Sequence, residues 1–105
     1  MVNKILTTSG VRFRQTRFIT PPAGDYAVYM DDVTADGPDG INRIFTHDIT
    51  VELYLVGLDN AAELAIEAAL NAEGVPWTKQ ARYWLQDAQR YQVIYEFSYI
   101  EKRRM

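Results

Sequence analysis

Cysteine is absent from the 105 residues. That excludes a disulfide framework, a thiolate zinc site and a thiol nucleophile, and it makes assembly in a reducing cytosol the expected setting. Histidine occurs once, as His47, so neither a Ser-His relay with supporting partners nor a multi-histidine metal set can be built in one chain except in minimal form. Positive charge is in deficit: 11 Lys and Arg face 14 Asp and Glu, for a net charge of −3. Binding to a phosphate backbone needs the opposite balance, so no direct nucleic-acid contact is expected. No run approaches the roughly 20 apolar residues of a membrane helix, and the opening Met1-Val-Asn-Lys-Ile-Leu6 carries no apolar signal core, so neither membrane insertion nor export is expected. With only 4 prolines and 6 glycines there is no room for a low-complexity linker.

What is present is a foldable chain, 48% hydrophobic and 12% aromatic, of a length that suits one domain spanning residues 1–105. Val2, Ile5 and Leu6 fall at helical spacing before Gly10 and predict a short helix over 2–9. Val11 to Phe18 reads as an exposed strand that Pro21-Pro22 and Gly24 end, and Tyr26 to Val33 as the next. Ala35-Asp-Gly-Pro-Asp-Gly40 predicts a turn or loop. From Ile44 to Leu55 the strict alternation of Phe45, His47, Ile49, Val51, Leu53 and Leu55 with polar residues gives a strand with one buried face, closing a long antiparallel hairpin. The face of Phe45, Ile49, Val51, Leu53 and Leu55 is expected to lie against the next helix.

Asn60-Ala-Ala-Glu63 has the spacing of a capping box and opens a helix to Ala72 that Gly74 and Pro76 close. Its polar stripe, Asn60, Glu63, Glu67 and Asn71, reads as the wet face. Trp77 to Leu85 and Tyr91 to Ile100 predict a second hairpin, with Tyr91, Val93, Tyr95, Phe97 and Tyr99 on one face. The expected fold is α+β: an antiparallel β-sheet with a long hairpin and helices packed on one face, in the order α-β-β-β-α-β-β.

The same residues offer little chemistry. His47, on an apolar strand face, is expected to be a hydrogen-bonded structural histidine, since nothing around it supplies a catalytic partner. Asp31, Asp32, Asp36 and Asp39 surround the turn, but their spacing is not that of a calcium loop, and Asp and Gly are what a turn needs anyway. Gly37-Pro-Asp-Gly40 lacks the Lys-Ser/Thr ending of a phosphate loop. The tyrosine row of the last strand suits core and interface packing better than base stacking. No enzymatic activity, cofactor or metal is expected.

Tyr26-Ala-Val-Tyr29, Ala35-Asp-Gly-Pro-Asp-Gly-Ile-Asn-Arg43, His47 with Thr50-Val-Glu-Leu-Tyr54, the helix bearing Glu63 and Glu67, the segment from Trp77 to Trp84 and the closing Tyr91 to Ile100 follow one another in a recognisable order. In that order and spacing the chain, from about Phe13 to Lys102, resembles the small tail-completion and tail-terminator proteins of phages and prophages. The resemblance implies a structural, non-enzymatic protein of the virion, made and assembled in the bacterial cytoplasm. It would form a ring of its own copies, commonly a hexamer, at the head-tail joint, and contact other neck and tail proteins. Arg12, Arg14, Arg17, Arg103 and Arg104, with Asp36 and Asp39, are the candidate contacts for such a ring or its partners, basic ends meeting an acidic middle. The rival expectation is a small cytosolic module that binds a ligand or a protein in a pocket between sheet and helix.

Overall fold

The computed structural model of the chain describes residues 1–36 and 42–104. Helix α1 (Val2–Ser9) leads through β1 (Phe13–Gln15) to the long strands β2 (Tyr26–Asp36) and β3 (Asn42–Leu55). Helix α2 (Ala61–Glu73) follows, then the short strands β4 (Trp77–Lys79) and β5 (Tyr83–Leu85), and the chain closes on β6 (Arg90–Arg104). The sheet runs in the order β1-β2-β3-β6-β4, with β5 also on β6. This is the expected α+β architecture. Both helices end as their glycines predict, Gly10 and Gly74 adopting left-handed φ values of 77° and 71°, a conformation that glycine enters without a steric penalty.

Three features depart from the sequence reading. The first is β1, which is three residues long and parallel to β2, Phe13 lying beside Ala27. Thr16, at φ 70°, and a three-residue turn in which the Arg17 N–H donates to the Gln15 carbonyl at 2.8 Å bend the chain out of the strand before Phe18. Thr16, Arg17, Phe18 and Pro21 then lie beside the outer sheet face, where Phe18 meets Tyr26 edge-on at 5.5 Å.

The second departure is the split edge strand. Trp77 pairs with Phe97 and Lys79 with Tyr95, whereas Tyr83 pairs with Gln92 and Leu85 with Arg90. Residues 80–82 therefore stand opposite only Val93 and Ile94, a one-residue β-bulge. The shift brings Trp84, as well as Trp77, onto the helix-covered face, where it meets Tyr91 at 4.9 Å.

The third is the polar stripe of α2, which is no wet face. Glu63 is buried and accepts hydrogen bonds from Arg82, through Nε at 3.0 Å and also through Nη2, and from Lys79 at 3.0 Å. Glu67 accepts from Lys79 and from the Tyr95 hydroxyl, each at 2.7 Å, and Asn71 accepts from Trp77 Nε1 at 3.0 Å. One helical row thus ties α2 to β4, β6 and the bulge. No side-chain cap is made by Asn60. Glu63 is committed to Arg82 and Lys79, so the capping box does not form, and Asp59 accepts from the Ala61 N–H at 3.0 Å instead.

The apolar core is continuous from Val2, Ile5 and Leu6 of α1 through Ile66, Ala69 and Leu70 of α2 to Ala27, Tyr29, Ile49, Val51, Leu53, Leu55, Val93, Tyr95 and Phe97 of the sheet. Phe45 does not share it as expected. It is only half-buried, because the core stops near Ile49 while the strands continue.

Leu53 has no exposed surface, so Leu53→Ala should lower the unfolding free energy by about 2–5 kcal/mol in a urea melt. Glu63→Gln should cost about 1–3 kcal/mol by leaving Arg82 and Lys79 poorly matched. Burial alone would raise the Glu63 pKa, but Arg82 and Lys79 hold it below the usual 4.5. Its contribution is therefore present above about pH 4.5 and is lost as pH falls through the lower folded value, so the deficit of the variant should shrink in acid.

Candidate functional site

Beyond the core, β2, β3 and β6 run on as a three-stranded arm of residues 30–36, 42–48 and 98–104. The arm helps to stretch the molecule to 50 × 28 × 21 Å. Neither helix contributes core residues to it, and Val33, Ile44 and Ile100 lie exposed, at 50%, 40% and 63% of their surface. Among the described residues β2 has its second neighbour, β1, only at Ala27–Tyr29, and β6 its second neighbour only as far as Phe97. Both outer strands of the arm are thus open edges.

Something other than a hydrophobic core must hold these strands together, and His47 supplies it. The ring is buried on the middle strand, with Nδ1 2.9 and 3.0 Å from the two carboxylate oxygens of Asp31 on β2 and Nε2 3.0 Å from Glu101 on β6. Ionised carboxylates only accept, so both ring nitrogens must donate and the group is an imidazolium. Burial opposes that charge, but the hydrogen bonds to Asp31 and Glu101 outweigh it and hold the pKa above the ordinary 6.5. Tyr99 stacks flat against the ring at 4.4 Å and 3°. The structural histidine expected from sequence is in place, with partners that alternation could not name. Asp31 lies opposite Ile49 in the ladder, in the strand itself and well before the turn.

The charged residues proposed as contacts fall in two places. Arg12, Arg14 and Arg17 are exposed around β1, with Arg14 over the Phe18 ring at 5.9 Å. Asp36 closes β2 opposite Ile44, and Arg103 and Arg104 end β6 opposite Arg43 and Asn42, so these three belong to the far end of the arm. Asp39 and the rest of the expected loop beyond Asp36 lie outside the described residues. The arm itself, which no single residue announced, could have been found from strand lengths: the alternation through Leu55 outruns what a helix of 13 residues can cover.

Elsewhere, a hollow of about 700 Å³ lies between the end of α1, residues 22–25 and the start of α2, with Arg12 and Asp25 among its lining. His47 is not part of it, so the inward polar group that a ligand pocket was expected to use is engaged in the arm. Among the described residues no group of three or more His, Asp or Glu is arranged to hold a metal ion, and no helix is long and apolar enough to cross a membrane.

No protein-family model matches the chain, and no curated protein matches it. Among solved structures, the fold is similar to that of a chain in the virion of a native gene transfer agent (GTA) particle, with a TM-score of 0.58 over 90% of this chain and 81% of that one. At 15% identity the likeness is one of fold.

Because both nitrogens of His47 donate in the folded arm, its stabilisation is complete below the unfolded pKa of about 6.5 and is lost as pH rises through the higher folded value. The difference in urea stability between the parent and His47→Gln should therefore be largest near pH 6 and shrink towards pH 9. A difference that grows with pH would contradict the clamp.

Proposed function

We propose that this chain is a structural subunit of a phage-type virion, acting without catalysis as a ring at the head-tail joint or tail terminus that completes the tail and joins it to the head. The observation that carries the reading is the arm. A 105-residue chain keeps about half of its longest strands outside its own core and leaves two strand edges open, a costly arrangement for a protein that works alone. Burial against neighbours in a closed assembly gives it a purpose.

The fold likeness to a chain of the GTA virion supports a place in a particle of this kind. The order of the sequence segments, from Tyr26-Ala-Val-Tyr29 to the closing tyrosine strand, supports the neck or tail end within it. The partners in this reading are further copies of the chain, six being the common number for such rings, and the adjoining neck and tail proteins. Arg12, Arg14 and Arg17, exposed at the opposite side of the sheet from β4, are available to a second, acidic surface.

Deletion of the gene in the parent phage tests the role. Infectious, tailed particles should be lost, heads and tails should accumulate unjoined in electron micrographs, and the wild-type protein should restore them. Normal numbers of tailed particles would refute the joining role. Arg14→Glu with Arg17→Glu should leave the circular dichroism melt within about 0.5 kcal/mol of the parent, as for other exposed positions, yet lower the yield of joined particles. Full rescue by that variant would remove these arginines from the account.

A further inference from the structure

The two open edges of the arm are not alike. On β2 the stretch Met30-Asp-Asp-Val-Thr-Ala-Asp36 carries three acids and no base, Asp31 being turned to His47 and Asp32 and Asp36 left for the edge, and on β6 the stretch Ser98-Tyr-Ile-Glu-Lys-Arg-Arg104 ends in three consecutive bases. Its one acid, Glu101, is turned to His47. Asp32, Asp36 and Lys102 are exposed. An acidic edge and a basic edge therefore flank one middle strand.

We infer that the arms of two copies join edge to edge, the acidic β2 edge of one against the basic β6 edge of the next, extending the three-stranded sheet across the contact. The inference rests on the self-assembly reading above and names its surface. Like edges are excluded by charge: a two-fold pairing of β2 with β2 would set acids on acids, and β6 with β6 bases on bases. Only the unlike pairing is attractive, and it is heterologous, the kind that propagates from copy to copy until it closes.

The strand directions fix its sense. Both β2 and β6 are antiparallel to β3, so both run towards the same end of the arm. Two arms side by side and pointing the same way meet as a parallel pair. The ladder also aligns them: Asp36, Ile44 and Lys102 form one row, Thr34, Thr46 and Ile100 the next, and Asp32, Asp48 and Ser98 the third. With rows in line, Lys102 comes abreast of the neighbour's Asp36, and the exposed Ile100 abreast of its Thr34. Main-chain hydrogen bonds from the open edges supply the attachment, and the charges supply the choice of edge.

The absence of cysteine gives a clean test. In one chain positions 36 and 102 are separated by β3, roughly 10 Å apart at two strand spacings, too far for an internal disulfide. The full-length protein carrying both Asp36→Cys and Lys102→Cys, mildly oxidised, should give a ladder of dimer, trimer and higher covalent species, while each single variant stays uncrosslinked. Dimers from either single variant would overturn the inference, because like edges would then be meeting. Light scattering on the parent separates this from the broader reading. If the parent is oligomeric and the double variant, equally oligomeric, gives no ladder, edge pairing falls and self-assembly stands. If the parent is monomeric at all concentrations and no ladder forms, both fall. Asp36→Lys and Lys102→Asp, each weakening association alone, should restore it when combined in one chain, and failure of the combination to do so would count against charge as the selector.

Discussion

The dependence of everything else on one mismatch of length is the central physical fact of this molecule. A helix advances about 1.5 Å per residue and a strand about 3.3 Å, so the 13 residues of α2 span about 20 Å while the 14 of β3 span about 46 Å. Two short helices can bury only part of such a sheet. The core accordingly draws on Ile49 to Leu55 of β3 and stops, and the remainder of the sheet must be stabilised by ladder hydrogen bonds, cross-strand pairs and the ion-paired His47. The arm's two open edges and the charges set along them follow from the same shortfall.

Where the helices do reach, they are held by two different means. The apolar row of Ile66, Ala69 and Leu70 is fully or nearly fully buried and supplies most of the driving force through the area it removes from water. The adjacent row of Glu63, Glu67 and Asn71 fixes where the helix sits, since each of its acceptors has a designated donor on β4, β6 or the bulge. Hydrogen bonds of this sort add modestly to net stability but make any other docking of α2 costly, because it would strand a buried carboxylate. Position is set by polarity and strength by apolar contact.

The sequence made the strongest periodic elements legible. The alternation from Ile44 to Leu55, the row from Tyr91 to Tyr99 and the glycine-ended helices are local patterns that burial on one side imposes, and each appears in the structure. What could not be read were choices made between distant residues. Glu63 looks solvent-facing by helical spacing, and only the arrival of Arg82 and Lys79 from beyond the helix lets it be buried. The strand from Trp77 to Leu85 looks continuous until its register on β6 is known. Phe45 follows the apolar pattern faithfully, yet the helices do not extend to it. The candidate site was visible in part: His47 stood out by its solitude, whereas the open edges emerged only once β1 and β4 proved to be three residues long.

The bulge at residues 80–82 has a consequence for how this chain tolerates change in length. One surplus residue there sets the parity of everything from Tyr83 to Leu85, so that Trp84 rather than Tyr83 lies on the helix-covered face. Loss of a single amino acid from the segment would remove the surplus and let the ladder run uninterrupted with Tyr83 still opposite Gln92 and Trp84 still opposite Tyr91, so the edge strand would lose its bend and keep its faces. A compact edge that looks like an ordinary loop in the sequence is therefore the place where two alternations of opposite parity are reconciled, so that Trp77 and Trp84 share one face of the sheet.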